Sequence, residues 1–217
     1  MKNKFIKLVL LILINLIVTS HLASEEINFE ANSIELIDKD NRIIAKKNVK
    51  IFNQEETIYA NEMDYDKIGQ IIKAKGNIKI ENLEDDIEIF GDELTYFIKK
   101  ELIVLNNNIK INFEKNLFLN TEEIIYDKKN KQISINNISK FEDKFGNKVS
   151  SKESKFLLDK KLLKLKSVKM IDELYNEYHF SNAIVDFKKN EIIADEIKID
   201  FFKGSFGNKE NDPRLRG

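Results

Sequence analysis

Cysteine is absent from the 217-residue sequence, and proline and glycine are scarce, with one and seven copies. Without cysteine the chain has no disulfide framework, no thiolate metal ligand and no cysteine nucleophile. The histidines are His21 and His179, so we expect neither a histidine-rich metal cage nor a bound cofactor. Little proline and glycine argues against disorder, and frequent isoleucine, phenylalanine and tyrosine residues favour a packed β fold.

No charge of one sign predominates, because 36 Lys and Arg residues balance 37 Asp and Glu residues to a net charge of -1. This balance excludes a strongly basic nucleic-acid binder, so we expect no nucleic acid among the partners. Phosphate-binding loops and serine nucleophile elbows are also missing from the sequence. The adjacent carboxylates Asp85–Asp86 and Glu122–Glu123 would point to opposite faces of a strand. The sequence therefore predicts that the chain is not an enzyme.

Residues 1–24 have the layout of a secretory signal peptide. Lys2, Lys4 and Lys7 precede an apolar run from Leu8 to Val18, and small residues follow it. The alternative is an uncleaved membrane anchor from Phe5 to Ala23, but the fully apolar run is short for a span, which favours cleavage. Both interpretations predict that the rest of the chain is exported.

A repeat organises the chain after this leader. Its clearest copies join an asparagine, an aliphatic residue, a lysine and a second aliphatic residue, at Asn48–Ile51, Asn77–Ile80 and Asn108–Ile111. A fixed period of this size is typical of a stacked repeat architecture, here of about six units of about 30 residues. We therefore predict one repeat domain over residues 25–202. The copies centre on Val49, Ile78, Ile109, Ile138, Val168 and Ile197.

Each unit predicts two strands and two turns. Alternation of polar and apolar residues, as at Met63 and Tyr65, indicates strands, and Asp/Asn/Lys clusters between them indicate turns. The phase of the repeat predicts strand for Leu157–Leu165 and a turn at Asn106–Asn108. The expected fold class is all-β, with antiparallel strands stacked into roughly a dozen rungs and a length of about 55 Å.

One face of the predicted strands is apolar throughout, which indicates two facing layers around an apolar interior. Periodicity alone leaves open whether this interior is a dry core or a groove that holds a lipid. The large aromatic and flexible side chains favour the groove. The predicted lipid-binding groove consists of Met63, Tyr65, Ile78, Ile80, Leu94, Tyr96, Ile109, Ile111, Ile124, Tyr126, Phe156, Leu158, Val168, Met170, Val185 and Phe187.

The motif formed by Ile58–Glu62, Tyr65–Asp66 and Gly76–Ile80, with a second copy at Gly91–Glu93, resembles a known domain. It is similar to the organic-solvent-tolerance-like N-terminal domain of the lipopolysaccharide (LPS) transport family, in particular to the periplasmic domain of the outer-membrane LPS-assembly protein. The resemblance implies a twisted open β-jellyroll that holds the acyl chains of LPS inside. It also implies a periplasmic location, at or associated with the outer membrane, and a role in LPS transport and outer-membrane assembly.

The C-terminal segment 203–217 resembles the junction between that periplasmic domain and an outer-membrane β-barrel. Phe206–Asn208 and Asn211–Gly217 carry this likeness. The expected partners are therefore LPS, other jellyroll proteins of the transport bridge that pair through edge strands, and an outer-membrane β-barrel. The sequence leaves open whether the chain is part of such a barrel protein or a free-standing paralogue.

Two other functions remain as alternatives. A structural or adhesive β-solenoid would share the repeat but would have a dry core. A β-helix carbohydrate-active enzyme would need carboxylates clustered on one exterior face. The repeat instead alternates Lys and Glu outside, which disfavours the enzyme.

Overall fold

The computed structural model describes residues 27–54, 56–82, 87–113, 117–144, 146–204 and 214–216. Antiparallel strands and the turns between them account for most of these residues, together with a short 3₁₀ helix at Ile98–Lys100. The predicted leader lies outside the described residues, as does most of the predicted junction. No helix within the described ranges is long and apolar enough to cross a membrane. The strands are β1 (Asn28–Glu30), β2 (Ser33–Ile37), β3 (Arg42–Phe52), β4 (Glu56–Asp66), β5 (Ile71–Asn82), β6 (Ile87–Phe97), β7 (Leu102–Phe113), β8 (Leu117–Asp127), β9 (Gln132–Ile135), β10 (Ser139–Asp143), β11 (Lys148–Ser151), β12 (Glu153–Leu157), β13 (Leu162–Ile171), β14 (Glu177–Asp186), β15 (Glu191–Asp195), β16 (Lys198–Asp200) and β17 (Arg214–Arg216).

All these strands belong to one 17-stranded sheet, and the sheet is divided lengthwise into two walls. The ladders of β3 to β8 shift register midway along each strand, so the two halves of a strand pair separately. Further along, separate short strands such as β9 and β10 continue the two halves. Wall A stacks segments 33–37, 42–46, 62–66, 71–75, 93–97, 102–106, 123–127, 132–135, 153–157, 162–166, 182–186 and 191–195. Wall B stacks segments 28–30, 49–52, 56–60, 78–82, 87–91, 109–113, 117–121, 139–143, 148–151, 168–171, 177–180, 198–200 and 214–216.

The line where the two walls meet is built from β-bulges. Pairs of residues with positive φ interrupt β3, β5 and β7 at Lys47–Asn48, Gly76–Asn77 and Asn107–Asn108. Two such residues face one residue of the neighbouring strand, and this arrangement bends a ladder. Asparagine and glycine adopt this conformation more readily than other residues, which explains the asparagine that opens each copy of the repeat. The predicted turn at Asn106–Asn108 is wrong, because these residues lie inside β7. Asn107 and Asn108 form a β-bulge there, for which the same residue types are favoured as in a turn.

The outer border of each wall is a column of turns. Rim A is the border of wall A, with turns at 38–41, 67–70, 98–101, 128–131, 158–161 and 187–190. Backbone hydrogen bonds tie each of these turns to the next, as from Lys128 N to Glu101 O at 2.9 Å and from Leu158 N to Lys131 O at 2.9 Å. Rim B is the opposite border, and it includes the described residues 53–54, 144, 146–147 and 172–176, which lie between strands. The predicted continuous strand Leu157–Leu165 is wrong, since a turn of rim A separates β12 from β13.

The apolar faces of both walls close on a single core. Ile80, Ile103 and Ile111 lie near its centre and are fully shielded from solvent, and they come from both walls. Each long strand, or the two short strands that replace it, forms one rung, so the stack has about a dozen rungs as predicted. The predicted fold class, an all-β stack of antiparallel strand repeats, is confirmed, with the two expected layers formed by one bent sheet.

Candidate functional site

The residues predicted to line a groove all face the space between the walls. Fourteen of the sixteen lie on strands that alternate inward and outward residues, whereas Leu158 and Phe187 lie in turns of rim A. Whether these side chains contact a lipid stays a prediction. Twelve of them are buried, namely Met63, Ile78, Ile80, Leu94, Tyr96, Ile109, Ile111, Ile124, Tyr126, Phe156, Leu158 and Val168. Four are half-buried, namely Tyr65, Met170, Val185 and Phe187.

Sequence analysis missed about as many inward residues as it found. The prediction relied on positions next to the two repeat signatures, whereas the inward face continues along the whole length of each strand. Alternation from the signatures finds Ile43, Ile72 and Ile103, because every second residue of a strand shares its face. In β4, β6 and β8 the inward phase shifts by one residue at the bend, so alternation from the signatures misses residues such as Ile58 and Leu119. The missed buried residues include Ile43, Ile58, Ile72, Ile89, Ile103, Leu105, Leu119, Ile133, Phe141, Leu163 and Leu165.

Polar side chains hold the bend between the walls. Asn77 Nδ2 lies 3.5 Å from Asn61 Oδ1, and Asn108 Nδ2 donates to Asp92 Oδ2 at 2.6 Å. The same spacing of 16 residues joins Asn48 to Asn32. These contacts connect the two repeat motifs across adjacent strands, so the motifs specify the bend rather than a chemical site.

Further along the stack, serine replaces these pairs at the bend. Ser139 Oγ and Ser154 Oγ lie 2.6 Å apart, and both residues are buried. Ser151 Oγ donates to backbone carbonyls at Glu153 and Lys166, at 2.6 and 2.8 Å. Buried hydroxyls with partners of this kind cost little stability. The bend is therefore maintained where the chain breaks its long strands into shorter ones.

The rims of the two walls touch along the side opposite the bend. Glu56, at the start of β4 on rim B, forms an ion pair with Lys128 on rim A, with 2.7 Å between Glu56 Oε1 and Lys128 Nζ. The two side chains are only 4% and 8% exposed. Lys128 Nζ also lies 5.4 Å from the ring centroid of Tyr96. At a second point Phe113 of wall B packs on Phe156 of wall A, with ring centroids 4.3 Å apart. We name the contacts Glu56–Lys128 and Phe113–Phe156 the rim seam.

The interior is exposed at both ends of the stack. At the first rung of wall A, Ile34 and Leu36 lie opposite Ala45 and Ile43 and share their inward face, yet they are 47% and 54% exposed. At the last rung of wall A, Ile192 lies opposite Val185 and is 60% exposed. No described strand covers wall A beyond these two rungs. The apolar interior therefore continues to the surface at each end.

At the C-terminal end, the outermost strand of wall B comes from beyond the six predicted repeat units. The last unit, centred on Ile197, contributes β16, and β16 pairs with β17, whose residues Arg214–Arg216 fall in the predicted junction. The outermost strand of wall A is β15. Extension of the stack at this end would therefore use β15 in wall A and β17 in wall B.

The outer faces carry paired charges that do not converge on one site. The hydrogen bonds that Lys79 Nζ donates to the carboxylates of Glu81 and Glu88 raise the pKa of Lys79 above its usual range. The guanidinium of Arg42, which pairs with Asp64, lowers the pKa of that carboxyl group. Among the described residues, no group of three or more His, Cys, Asp or Glu side chains could hold a metal ion. These exposed pairs contribute little to stability.

Together these features define a class of protein: an elongated antiparallel β-stack, bent lengthwise around an apolar interior that reaches the surface at both ends. Among the residues that the structure describes, such a stack presents terminal strands at each end and an interior lined mainly by apolar side chains. The repeat motifs, which set the bend, are the features by which this class is recognised in sequence.

Comparison with known proteins finds a family that the chain resembles. The family model described as LptA/(LptD N-terminal domain) LPS transport protein matches residues 28–132, just under half of the chain. The resemblance found in the sequence is therefore confirmed. The matched family is described as one of LPS transport, which supports the prediction that the chain is not an enzyme.

The other comparisons add two observations. No curated protein matches the chain. Solved structures that match include LptH from Pseudomonas aeruginosa, described as the LptA-homologous periplasmic component of the conserved lipopolysaccharide transport device. LptH is 22% identical over 50% of this chain and 80% of its own, with a TM-score of 0.45.

Proposed function

We propose that this chain carries the acyl chains of LPS between walls A and B in the periplasm and passes them toward the outer membrane. The observation that carries the proposal is the apolar interior, which runs through every rung and reaches solvent at Ile34, Leu36 and Ile192. Burial of an acyl chain contributes about 0.8 kcal/mol per methylene group, so a long interior can hold a lipid with several chains firmly. The match of residues 28–132 to a family of LPS transport proteins supports this choice of lipid.

We also propose that other jellyroll proteins dock on the ends of the stack. Strand β2 at one end, and β15 and β17 at the other, are terminal in their walls and can accept another strand. The exposed inward residues beside these edges would continue the apolar interior into the partner. An outer-membrane β-barrel is a further proposed partner, on the strength of the junction-like C-terminal segment.

A second candidate function is a structural repeat with a permanently dry core. The tight packing of the central rungs favours it, because Ile80, Ile103 and Ile111 have no exposed surface. The two candidates differ in one respect: a carrier must admit lipid next to these residues, whereas a structural repeat never does.

A photo-crosslinking amino acid at Ile111 tests the proposed function in cells. Ile111 faces the interior, and the adjacent Lys110 points outward and is exposed, which makes Lys110 a matched control position. A carrier is expected to give LPS adducts at Ile111 and at Tyr96 but not at Lys110. The absence of adducts at both interior positions, with the protein expressed and folded, would favour the dry structural repeat.

Docking at the C-terminal end is tested by a charge on the inward face of β15. Ile192→Lys leaves the isolated protein folded because the side chain is 60% exposed, but it would bury a charge when another jellyroll extends the stack. Ile193→Lys is the control, since Ile193 is 62% exposed on the outward face. We expect Ile192→Lys to weaken co-purification of partner jellyroll proteins and Ile193→Lys to retain it. Equal retention by both variants would contradict the docking proposal.

A further inference from the structure

The rim seam lies on the long side of the interior, between the terminal rungs of the stack. Glu56 follows the β3–β4 turn of rim B, whereas Lys128 follows β8 on rim A. The two residues therefore join walls that are otherwise connected through the bend on the opposite side. Phe113 and Phe156 repeat this connection between the end of β7 and wall A.

The space beside Glu56 is too small for an acyl chain while the ion pair is formed. A cavity of about 10 Å³ lies next to Glu56, lined also by Ile27, Ile58 and Tyr96. A cavity of this size holds about one water molecule, so it is smaller than a methylene chain needs. Separation of the rims is the movement that would widen the interior without breaking the ladders of either wall.

The chemistry of the ion pair suits a contact that opens. Removing two charges from water costs free energy that their mutual attraction only partly offsets, and an apolar pair is often at least as stable in such a position. When the rims separate, Glu56 and Lys128 regain water, so this cost of burial is recovered in the open state. Two apolar residues in the same place would gain no hydration free energy when the rims separate.

The aromatic contact complements the ion pair. Phe156 packs against Phe113 at 4.3 Å and against Phe187 at 5.6 Å, both measured between ring centroids. These rings seal the neighbouring stretch of the interior from water when the rims are closed. After opening, the same rings offer apolar surface to an entering chain, so the cost of exposing them falls once a lipid is present.

We propose that the rim seam is a lateral gate, through which an acyl chain enters the interior from the side rather than by threading from an end. The proposal rests on the proposed function, because a gate needs a lipid to admit. In this arrangement Glu56–Lys128 sets how readily the rims part, and the pair Phe113–Phe156 covers the interior between loading events.

The absence of cysteine allows a direct test by reversible cross-linking. Phe113→Cys/Phe156→Cys joins the rims through a short, thiol-cleavable bifunctional reagent. The control Lys155→Cys/Lys164→Cys joins two exposed residues that face each other on the outer side of wall A. Loading is followed with a fluorescent long-chain fatty acid and the purified chain, before and after cleavage of the cross-link by a reductant.

Locking the seam is expected to slow loading by about tenfold or more, since the open state is no longer accessible, and cleavage should restore it. The control cross-link should leave loading unchanged. As an independent measurement, Glu56→Gln weakens the ion pair and is expected to speed loading. Equal loading rates with the seam locked and released, or no acceleration by Glu56→Gln, would overturn the gate. If no variant and no native protein binds any fatty acid or LPS, the proposed function itself fails.

Discussion

Replacing Ile111 by alanine tests whether the interior is a packed core that stabilises the whole stack. Ile111 has no exposed surface, and its ladder neighbours in wall B are Ile89 and Leu119, both buried. The substitution removes three carbon atoms from this position. At about 0.8 kcal/mol per methylene-sized group the lost burial amounts to about 2.4 kcal/mol.

The cavity left behind adds to this loss. Hydrogen-bonded ladders fix the spacing of Ile89 and Leu119, so these neighbours cannot collapse fully into the space that Ile111 vacates. A partly retained cavity contributes about a further 1 kcal/mol, and the expected decrease in the free energy of unfolding is about 3–4 kcal/mol. With a urea m-value of about 2 kcal/mol/M, the unfolding midpoint should fall by about 1.5–2 M.

Urea unfolding followed by circular dichroism and by intrinsic tyrosine fluorescence measures this change. Coincidence of the two signals shows that the stack unfolds as one unit, which repeat proteins do not always do. Ile138→Ala is the control, because Ile138 is 62% exposed and the change should alter stability by less than about 0.5 kcal/mol. A loss below about 1 kcal/mol for Ile111→Ala would refute the view that the centre of the stack is closely packed.

Two further predictions concern the bend and a turn of rim B. Asn108→Ala should lower the free energy of unfolding in urea by about 1–2 kcal/mol, because Asn108 has a φ of 52°, which alanine adopts poorly. Asn108→Gly should lower it less, since glycine adopts positive φ readily. Equal losses for the two variants would contradict a backbone origin of the effect. Partial burial opposes ionisation of Asp172, yet hydrogen bonds from Asn176, Tyr178 and the backbone of Leu174 outweigh it and lower its pKa. Ionised Asp172 therefore stabilises the fold above about pH 4, and this contribution is lost as the pH falls through the folded pKa. The native protein should accordingly have a higher urea midpoint than Asp172→Asn above about pH 4, and the difference should shrink below that pH. A difference independent of pH would contradict this assignment.

The repeat made much of the fold predictable from sequence, because it carries both periods that shape the stack. Alternation inside a unit gives the inward face, as at Met63 and Tyr65, and the period of the units gives the number of rungs. Local turn chemistry was equally informative at 38–41, 67–70 and 128–131, which all lie on rim A. Asn106–Asn108 was misassigned because asparagine favours positive φ in turns and in bulges alike, and composition does not distinguish the two.

What the sequence did not reveal is the contact between the rims. Glu56 and Lys128 each look like ordinary surface charges, since neighbours in the chain set their local pattern and their partner lies several strands away. Only the bend at Asn77 and Asn108 brings the two columns of turns together, and the angle of that bend is a property of the assembled sheet. The same reasoning explains why the interior residues were identified more readily than their role: side-chain alternation is local, whereas the width of the space between two walls depends on contacts at its far border. If the rims can part, the closely packed interior and the lipid-carrying interior are two states of one structure, and the rim seam sets the balance between them.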